Sequence, residues 1–332
     1  MVFIIHHWDI DGIASAAIVG RILEKRGVPW ENTTPIIGHY TIDKELLKEI
    51  EKHDEVYVLD WNIDYPEVLK IKEAGVKKII FIDHHKAQGF PKDDVIAYIN
   101  PIAFGKTEKE YPSASWVVSD LFSFWNHLSA LGVVGDIGLK KILQYGLQKK
   151  IESLLSKVGL TLRDSLELVS LVDSNSIVGN RKGVIEAVDL LMNKSPRDLL
   201  NYKPWGRNVE RIEKAIKDAI ENVFEENGVA ILVIEEEIDL VSKLARKLVW
   251  GLGYKAAIVA NRKPINGILK AYLRISPLLI GKINVLGLID ELKKEGLQAG
   301  GKADVVGVNV SSEEDLRYVL EKFRRVVNDK RK

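Results

Sequence analysis

Val2-Phe3-Ile4-Ile5-His6-His7-Trp8-Asp9-Ile10-Asp11-Gly12 is the stretch from which the fold is read. Four apolar residues run straight into imidazoles, then two carboxylates, then glycine. A short apolar run bounded by polar residues and glycine is the pattern of a strand buried on both faces. It predicts a strand over 2–5 and, after Gly12, a helix over 13–25. Two later segments finish in the same way. Val56-Tyr57-Val58-Leu59 runs into Asp60, and Ile79-Ile80-Phe81-Ile82 runs into Asp83-His84-His85.

Strands over 2–5, 55–59, 78–82 and 95–99, with helices over 13–25, 66–74 and 115–130 between and after them, predict an α/β domain with a parallel sheet. The carboxyl ends of parallel strands lie along one edge, where ligands of open α/β folds bind. That edge would therefore gather His7, Asp9, Asp11, Asp60, Asp83, His84 and His85. Bare carboxylates so placed repel one another and raise each other's pKa. Divalent cations remove the conflict, and carboxylate oxygen with imidazole nitrogen suits Mn²⁺ or Mg²⁺. A lone aspartate after a strand is ordinarily a cap or turn residue. Taken singly, Asp60, or Asp136 in Gly135-Asp136-Ile137-Gly138, reads that way. The conjunction of three such strand ends is what points to a metal site.

From 136 to 194 the pattern is helical. Ser195-Pro196 and Lys203-Pro204-Trp205-Gly206 punctuate it, and a charged helix over 207–225 reads as a connector. A second α/β block follows, with strands over 229–234, 256–260 and 268–275 and a closing helix over 313–327. The expected division is 1–195, 196–225 and 226–332.

Composition narrows the function classes. The 332 residues are 46% hydrophobic and 29% charged, as in a globular chain. There is no cysteine, which excludes disulfides, thiol nucleophiles and thiolate metal sites. Apolar runs are strand-sized, so no membrane span is expected, and a cytoplasmic location is. With 48 basic against 47 acidic residues, an anionic substrate must be held locally.

His7-x-Asp9-x-Asp11-Gly12, Asp60, Asp83-His84-His85 and Asp136 resemble, in order, the four motifs of the DHH phosphoesterase superfamily. Asn100-Pro101 and Tyr111-Pro112-Ser113-Ala114-Ser115 resemble the stretch that follows its Asp-His-His motif. Leu273-Arg274-Ile275-Ser276 and the segment from Ala299 through Gly300-Gly301-Lys302 to Gly307 resemble the companion DHHA1 domain. A histidine two residues before the first aspartate is similar to the RecJ-like and archaeal branches. The resemblance implies an N-terminal parallel-sheet DHH catalytic domain, a helical connector and a smaller C-terminal α/β DHHA1 substrate-binding domain.

It further implies two divalent cations, Mn²⁺ or Mg²⁺. His7, Asp9 and Asp60 would hold one, and Asp11, Asp60, His84 and Asp136 the other, with Asp60 bridging. His85 and Asp83 would be catalytic, His85 orienting or protonating phosphate oxygens and Asp83 fixing a neighbouring imidazole. Arg274, Gly300, Gly301 and Lys302 would bind substrate, Lys302 standing where relatives carry histidine. The activity so implied is exonucleolytic release of mononucleotides from single-stranded DNA or RNA, with a replication or repair protein as a possible partner. Two alternatives stand beside it. One is a nanoRNase or cyclic-dinucleotide phosphodiesterase for short substrates; the other is a non-catalytic replication scaffold, whose mark would be lost metal ligands. Trp61, Trp116 and Trp205 are candidates for base stacking, with core packing as the ordinary reading. Arg324, Arg325, Lys330, Arg331 and Lys332 read as a solvated basic tail.

Overall fold

Strand β1 (Val2–His6) is buried at every position, as a strand covered on both faces must be. Residues 1–328 are described in this computed structural model. After β1 come α1 (Ile10–Lys25), β2 (Trp30–Thr33), α2 (Lys44–Ile50), β3 (Glu55–Leu59), α3 (Tyr65–Glu73), β4 (Lys78–Ile82) and β5 (Ile96–Ile99). The strands form one sheet of order β2-β1-β3-β4-β5, with every pair parallel. Side chains alternate across a strand, and both sets are apolar. Ile4, Leu59 and Ile82 pack with α1, while Ile5, Val58 and Phe81 pack with residues of α2 and α3.

Register brings the site together. His6 pairs with Leu59, Leu59 with Ile82, and Ile82 with Ile99. The ladder then runs one residue further. The amides of His7, Asp60 and Asp83 donate to the carbonyls of Leu59, Ile82 and Ile99 at 3.0, 2.9 and 3.0 Å. These three residues thus stand side by side at the carboxyl edge. The order of strand addition also reverses here, with β2 on one flank of β1 and β3 on the other. Such a switch point leaves a crevice beyond the strand ends.

Helix α1 begins at Ile10, three residues before the predicted start. Asp9 is its N-cap, extended at φ −93°, ψ 176°, and its carboxylate accepts the Gly12 amide at 3.1 Å. Asp11 and Gly12 therefore lie in the first helical turn. A Cβ on Gly12 would sit 2.5 Å from the His7 carbonyl oxygen. Only glycine lets the helix start so close to the strand it has just left.

The helix expected over 115–130 is two helices, α4 (Ala114–Leu121) and α5 (His127–Tyr145). Ser123 adopts φ 52° between them, and Asn126 with Ser129 forms a capping box that starts α5 afresh. Asp136 lies inside α5, two residues before Gly138, whose φ of 67° and ψ of 170° kink the helix. Helices α6 (Gln148–Ser156), α7 (Leu162–Ile177), α8 (Arg181–Asn193) and α9 (Pro196–Leu199) complete this helical layer.

The chain divides into two units. One comprises Met1–Ser176 and Asn180–Val209, the other Ile177–Gly179 and the residues from Glu210 onward. The division falls within α10 (Lys203–Ile220), which starts four residues before the charged helix expected over 207–225 and ends five residues before that helix's expected end. Pro204 occupies its first turn, where a missing N–H costs nothing, so the Lys203-Pro204 pair begins a helix and does not interrupt one.

The second unit contains β6 (Phe224–Glu226), β7 (Val229–Ile234), α11 (Val241–Arg246), β8 (Ala256–Ile265), β9 (Ile268–Ile275), α12 (Val285–Lys294), β10 (Gln298–Lys302), β11 (Val305–Val310) and α13 (Glu313–Asn328). Its sheet, of order β10-β11-β9-β8-β7-β6, is mixed: β7 and β8 are parallel and the other pairs antiparallel. Ile258, Leu273 and Val308 pack with Leu288 of α12 and Phe323 of α13. On the opposite face Leu232 and Val259 pack with Leu244 of α11 and Ile212 of α10. Arg324 and Arg325 are exposed on α13. Lys330, Arg331 and Lys332 lie outside the described residues.

Candidate metal centre

Asp60 sits at the middle of the acidic edge. It follows β3, is 1% exposed, and holds φ at 59°. Aspartate tolerates this left-handed conformation better than most residues, but at a cost that marks the position as special. Two sets of side chains converge on it. In the first, His7 Nδ1 lies 2.8 Å from Asp9 Oδ2 and 3.9 Å from Asp60 Oδ2. In the second, His84 Nε2 lies 3.5 Å from Asp60 Oδ1, 3.8 Å from Asp11 Oδ2 and 3.8 Å from Asp136 Oδ2. The residues predicted from the sequence as metal ligands are thus brought together from the ends of β1, β3 and β4, the first turn of α1 and the middle of α5.

Electrostatics shows the strain of this assembly. Burial, followed by the charges of Asp11, Asp9, Asp83 and Asp136, pushes Asp60 well above the usual carboxylate range. Asp136 is also raised, by burial first and then by Asp11 and Asp9, against the opposing pull of His84. Asp9 goes the other way. Burial would raise it, but the charge and contact of His7 and the Gly12 amide outweigh that and hold it low.

A cation fits these donors. Among the described residues, His7 Nδ1 and Nε2, Asp60 Oδ1 and His84 Nδ1 and Nε2 are buried atoms without a hydrogen-bond partner. Leaving such atoms unsatisfied costs about 1–3 kcal/mol each, and buried polar atoms in folded proteins are normally paired. His7 Nδ1 is near Asp9 Oδ2 yet makes no hydrogen bond to it. Two ligand atoms aimed at a shared ion have this relationship. His7, Asp9 and Asp60 present donor atoms all within 4.8 Å of one another, as do Asp60, Asp83, His84 and His85. In the latter group Asp83 Oδ1 is already taken. It accepts from the His84 amide at 2.8 Å, the His85 amide at 3.3 Å and His85 Nδ1 at 2.8 Å.

Asp83 and His85 therefore form a hydrogen-bonded pair beside the cluster. Burial would lower His85, but the charge and hydrogen bond of Asp83, then Asp136 and Asp9, raise it to about 9. Asn100, next along the sheet edge, donates from Nδ2 to the His85 carbonyl at 2.9 Å and fixes that loop. Asp11 has a second task. Its two oxygens accept the Ala114 and Ser115 amides at 2.6 and 3.0 Å, anchoring the N-terminus of α4.

The substrate-binding candidates belong to the second unit. Arg274, on β9, is 7% exposed, with Nη1 2.9 Å from Asp304 Oδ2 and its guanidinium 4.5 Å from the Trp250 ring centroid. It is a buried, paired arginine and not one on a solvated face. Gly300, Gly301 and Lys302 are the other candidates from the sequence. They lie in β10, paired with Gly307, Val306 and Val305 of β11, while Val305 also pairs with Arg274. Lys302 and Arg274 thus flank Val305 in one row of the sheet. The ordinary core reading holds for all three tryptophans and the stacking candidacy lapses, because Trp61, Trp116 and Trp205 are 0, 5 and 2% exposed. Sequence reasoning also missed the aromatic neighbours of His7. Trp8 lies 4.1 Å from it and Tyr40 6.2 Å, ring to ring. Tyr40 comes from a loop with no periodic signal.

Sheet order, strand-end register and this donor set define a parallel α/β domain with a candidate metal centre at its carboxyl edge. Residues 1–155 match the model of the DHH family, N-terminal domain. No curated protein sequence matches the chain. Among solved structures it is similar to a DHH domain from a member of the s1p family of ribosomal proteins, at 17% identity and TM-score 0.72, covering 99% of this chain and 86% of that one. It is also similar to exonuclease RecJ bound to manganese, at 17% identity and TM-score 0.63, covering 97% and 88%. A pGpG-specific phosphodiesterase from Vibrio shares the fold at 15% identity and TM-score 0.54, covering 99% and 100%. Among the described residues no helix is long and apolar enough to cross a membrane.

Proposed function

We propose that this protein is a metal-dependent phosphodiesterase that releases mononucleotides from single-stranded DNA or RNA. The observation that carries the reading is the convergence on Asp60. One set, His7, Asp9 and Asp60, would hold one divalent cation. The other, Asp11, Asp60, His84 and Asp136, would hold a second, with Asp60 shared. When bound, Mn²⁺ or Mg²⁺ ions supply Lewis-acid stabilisation of the phosphate and a nucleophilic water at neutral pH.

The chain's own groups do the rest. His85, with Nδ1 held by Asp83, keeps Nε2 available to a phosphate oxygen. Asp83 orients that ring and is a positioning residue. Asn100 holds the His85 backbone. Arg274, Gly300, Gly301 and Lys302 bind the strand's phosphates. Arg274 retains a buried, unpartnered Nε beside its Asp304 pair, and Lys302 is exposed.

The test is hydrolysis with Mn²⁺ of end-labelled single strands of several lengths and of a cyclic dinucleotide. Stepwise mononucleotides from long strands, lost with a chelator, are expected. Cleavage confined to oligomers of a few nucleotides or to the cyclic dinucleotide would move the substrate to the short class. No hydrolysis of any of them would sink the reading.

A further inference from the structure

Beside the metal centre stands an aromatic pair to which the candidate chemistry assigns no role: Trp8, packed against the hydrophobic core, and the exposed Tyr40. Tyr40 is 46% exposed, and its ring lies 5.4 Å from Trp8 in an edge-on contact. Trp8 in turn lies 4.1 Å from His7, tilted at 38°. Tyr40 itself is 6.2 Å from the His7 ring. One exposed tyrosine is unremarkable on a protein surface, so the case rests on how this one is held.

The loop that carries Tyr40 is fixed on both sides. Ile37 and Ile42 are buried at 6 and 7% exposure. The fully buried Trp61 donates from Nε1 to the His39 carbonyl at 3.2 Å. His39 closes a turn onto the Ile36 carbonyl at 2.9 Å, and the Ile42 amide is held by Glu67 Oε2 at 2.7 Å. The residues on either side of Tyr40 are thus pinned, while its ring stays at the surface. An aromatic ring fixed by its neighbours loses little entropy when a second ring stacks on it.

We propose that Tyr40, braced by Trp8, is a stacking platform for the nucleobase of the nucleotide whose phosphate lies at the metal centre. The proposal rests on the phosphodiesterase reading above and names its substrate class: a base-bearing strand, not a bare phosphate chain. The spacing suits this. A base lies one sugar away from its phosphate, and Tyr40 lies one ring away from His7. Stacking on an aromatic face is tolerant of base identity, because every base has such a face. The platform therefore fits a nuclease without sequence preference. It also gives Trp61 a place, as the buried anchor of the loop and not as a stacking residue.

The experiment measures binding of the full-length protein, loaded with Ca²⁺ to fill the oxygen-donor site without turnover, to a labelled oligothymidylate and to the same strand made abasic. Wild type should prefer the base-bearing strand about tenfold, equivalent to ~1.4 kcal/mol. Tyr40→Ala should erase that preference by weakening only the base-bearing strand, and Tyr40→Phe should keep it, since the ring and not the hydroxyl stacks. Equal binding of the two strands by wild type, or an equal loss on both in Tyr40→Ala, overturns the platform. So does failure of Tyr40→Phe to retain the preference. Replacing Ca²⁺ by Mn²⁺ afterwards tests the chemistry separately. A preserved base preference without hydrolysis supports the platform while removing the phosphodiesterase reading; hydrolysis without base preference does the reverse.

Discussion

His84 Nε2 and Asp60 Oδ1 lie 3.5 Å apart, delivered from the ends of adjacent strands β4 and β3, and neither atom has a hydrogen-bond partner. Leu59 pairs with Ile82, so Asp60 and Asp83 stand level and His84 is one residue beyond. Strand register, and not loop geometry, sets the distance. Sites built on such rigid elements are held more closely than sites on loops.

The first prediction concerns Asp60 without metal. Its carboxylate is buried among like charges, so Asp60→Asn, which also tolerates positive φ, should leave the metal-free protein as stable as wild type or more so by ~1 kcal/mol. Mn²⁺ should raise the Tm of wild type, by the equivalent of about 2.7 kcal/mol at a hundredfold excess over Kd. The variant should show little of that rise. Thermal melts with and without Mn²⁺ decide it, and an undiminished shift in Asp60→Asn would remove Asp60 from the ligand set.

The second concerns the Asp83–His85 pair. Asp83→Asn removes the charge that raises His85 and should lower kcat by roughly 10- to 100-fold, with Mn²⁺ affinity nearly kept. Asp136→Ala should lose both activity and Mn²⁺ affinity. Kinetics beside metal titration separate the two roles, and equal effects in the two variants would contradict them.

The third concerns pH and stability, at a residue of α5. His127 is buried, and burial, followed by the charge of Arg21, lowers it from 6.5 to about 4. Its position in the first turn of α5 also disfavours positive charge. The unfolded chain therefore binds this proton more readily than the folded one. The stability tied to neutral His127 is present above pH 6.5, is lost as pH falls below that, and is gone below about 4. The full loss is roughly 3 kcal/mol. Urea unfolding of wild type and His127→Leu at pH 7 and 4.5 should show a shallower acid loss in the variant. Parallel losses would falsify the assignment.

The fourth concerns Lys302. An ammonium offers charge without imidazole's proton exchange near neutrality. If Lys302 meets a strand phosphate, Lys302→Ala should raise KM for single strands several-fold with little change in kcat, the signature of uniform binding. The effect should shrink as salt rises. A collapse of kcat at constant KM would put Lys302 in the chemistry instead.

Much of the first unit was legible because a strand covered on both faces must be apolar throughout. Val2-Phe3-Ile4-Ile5, Val56-Tyr57-Val58-Leu59 and Ile79-Ile80-Phe81-Ile82 each announce such a strand, and the polar residue that ends each run announces the site. β2 was not legible. It is the edge strand Trp30-Glu31-Asn32-Thr33, partly exposed and mostly polar, so no burial pattern marks it. The break between α4 and α5 was missed because apolar residues continue across it, while the capping of Asn126 and Ser129 overrides their periodicity. Lys203-Pro204 was read as a stop, although proline is equally at home in a first turn.

By itself, then, the sequence determined the α/β class and the identities of the acidic and imidazole donors, since burial and charge chemistry are properties of residue type and local order. Tertiary structure alone decided which of them meet. Register brought Asp60 level with Asp83, and the packing of α5 carried Asp136 to His84 from a helix that gives no local sign of it. The pinned loop set Tyr40 beside His7. Pairing across β9, β11 and β10 made Gly300-Gly301 part of a strand and put Arg274 under Trp250. These are contacts between segments far apart in the chain, and no local pattern encodes a distance between two segments that only the closing of the fold brings together.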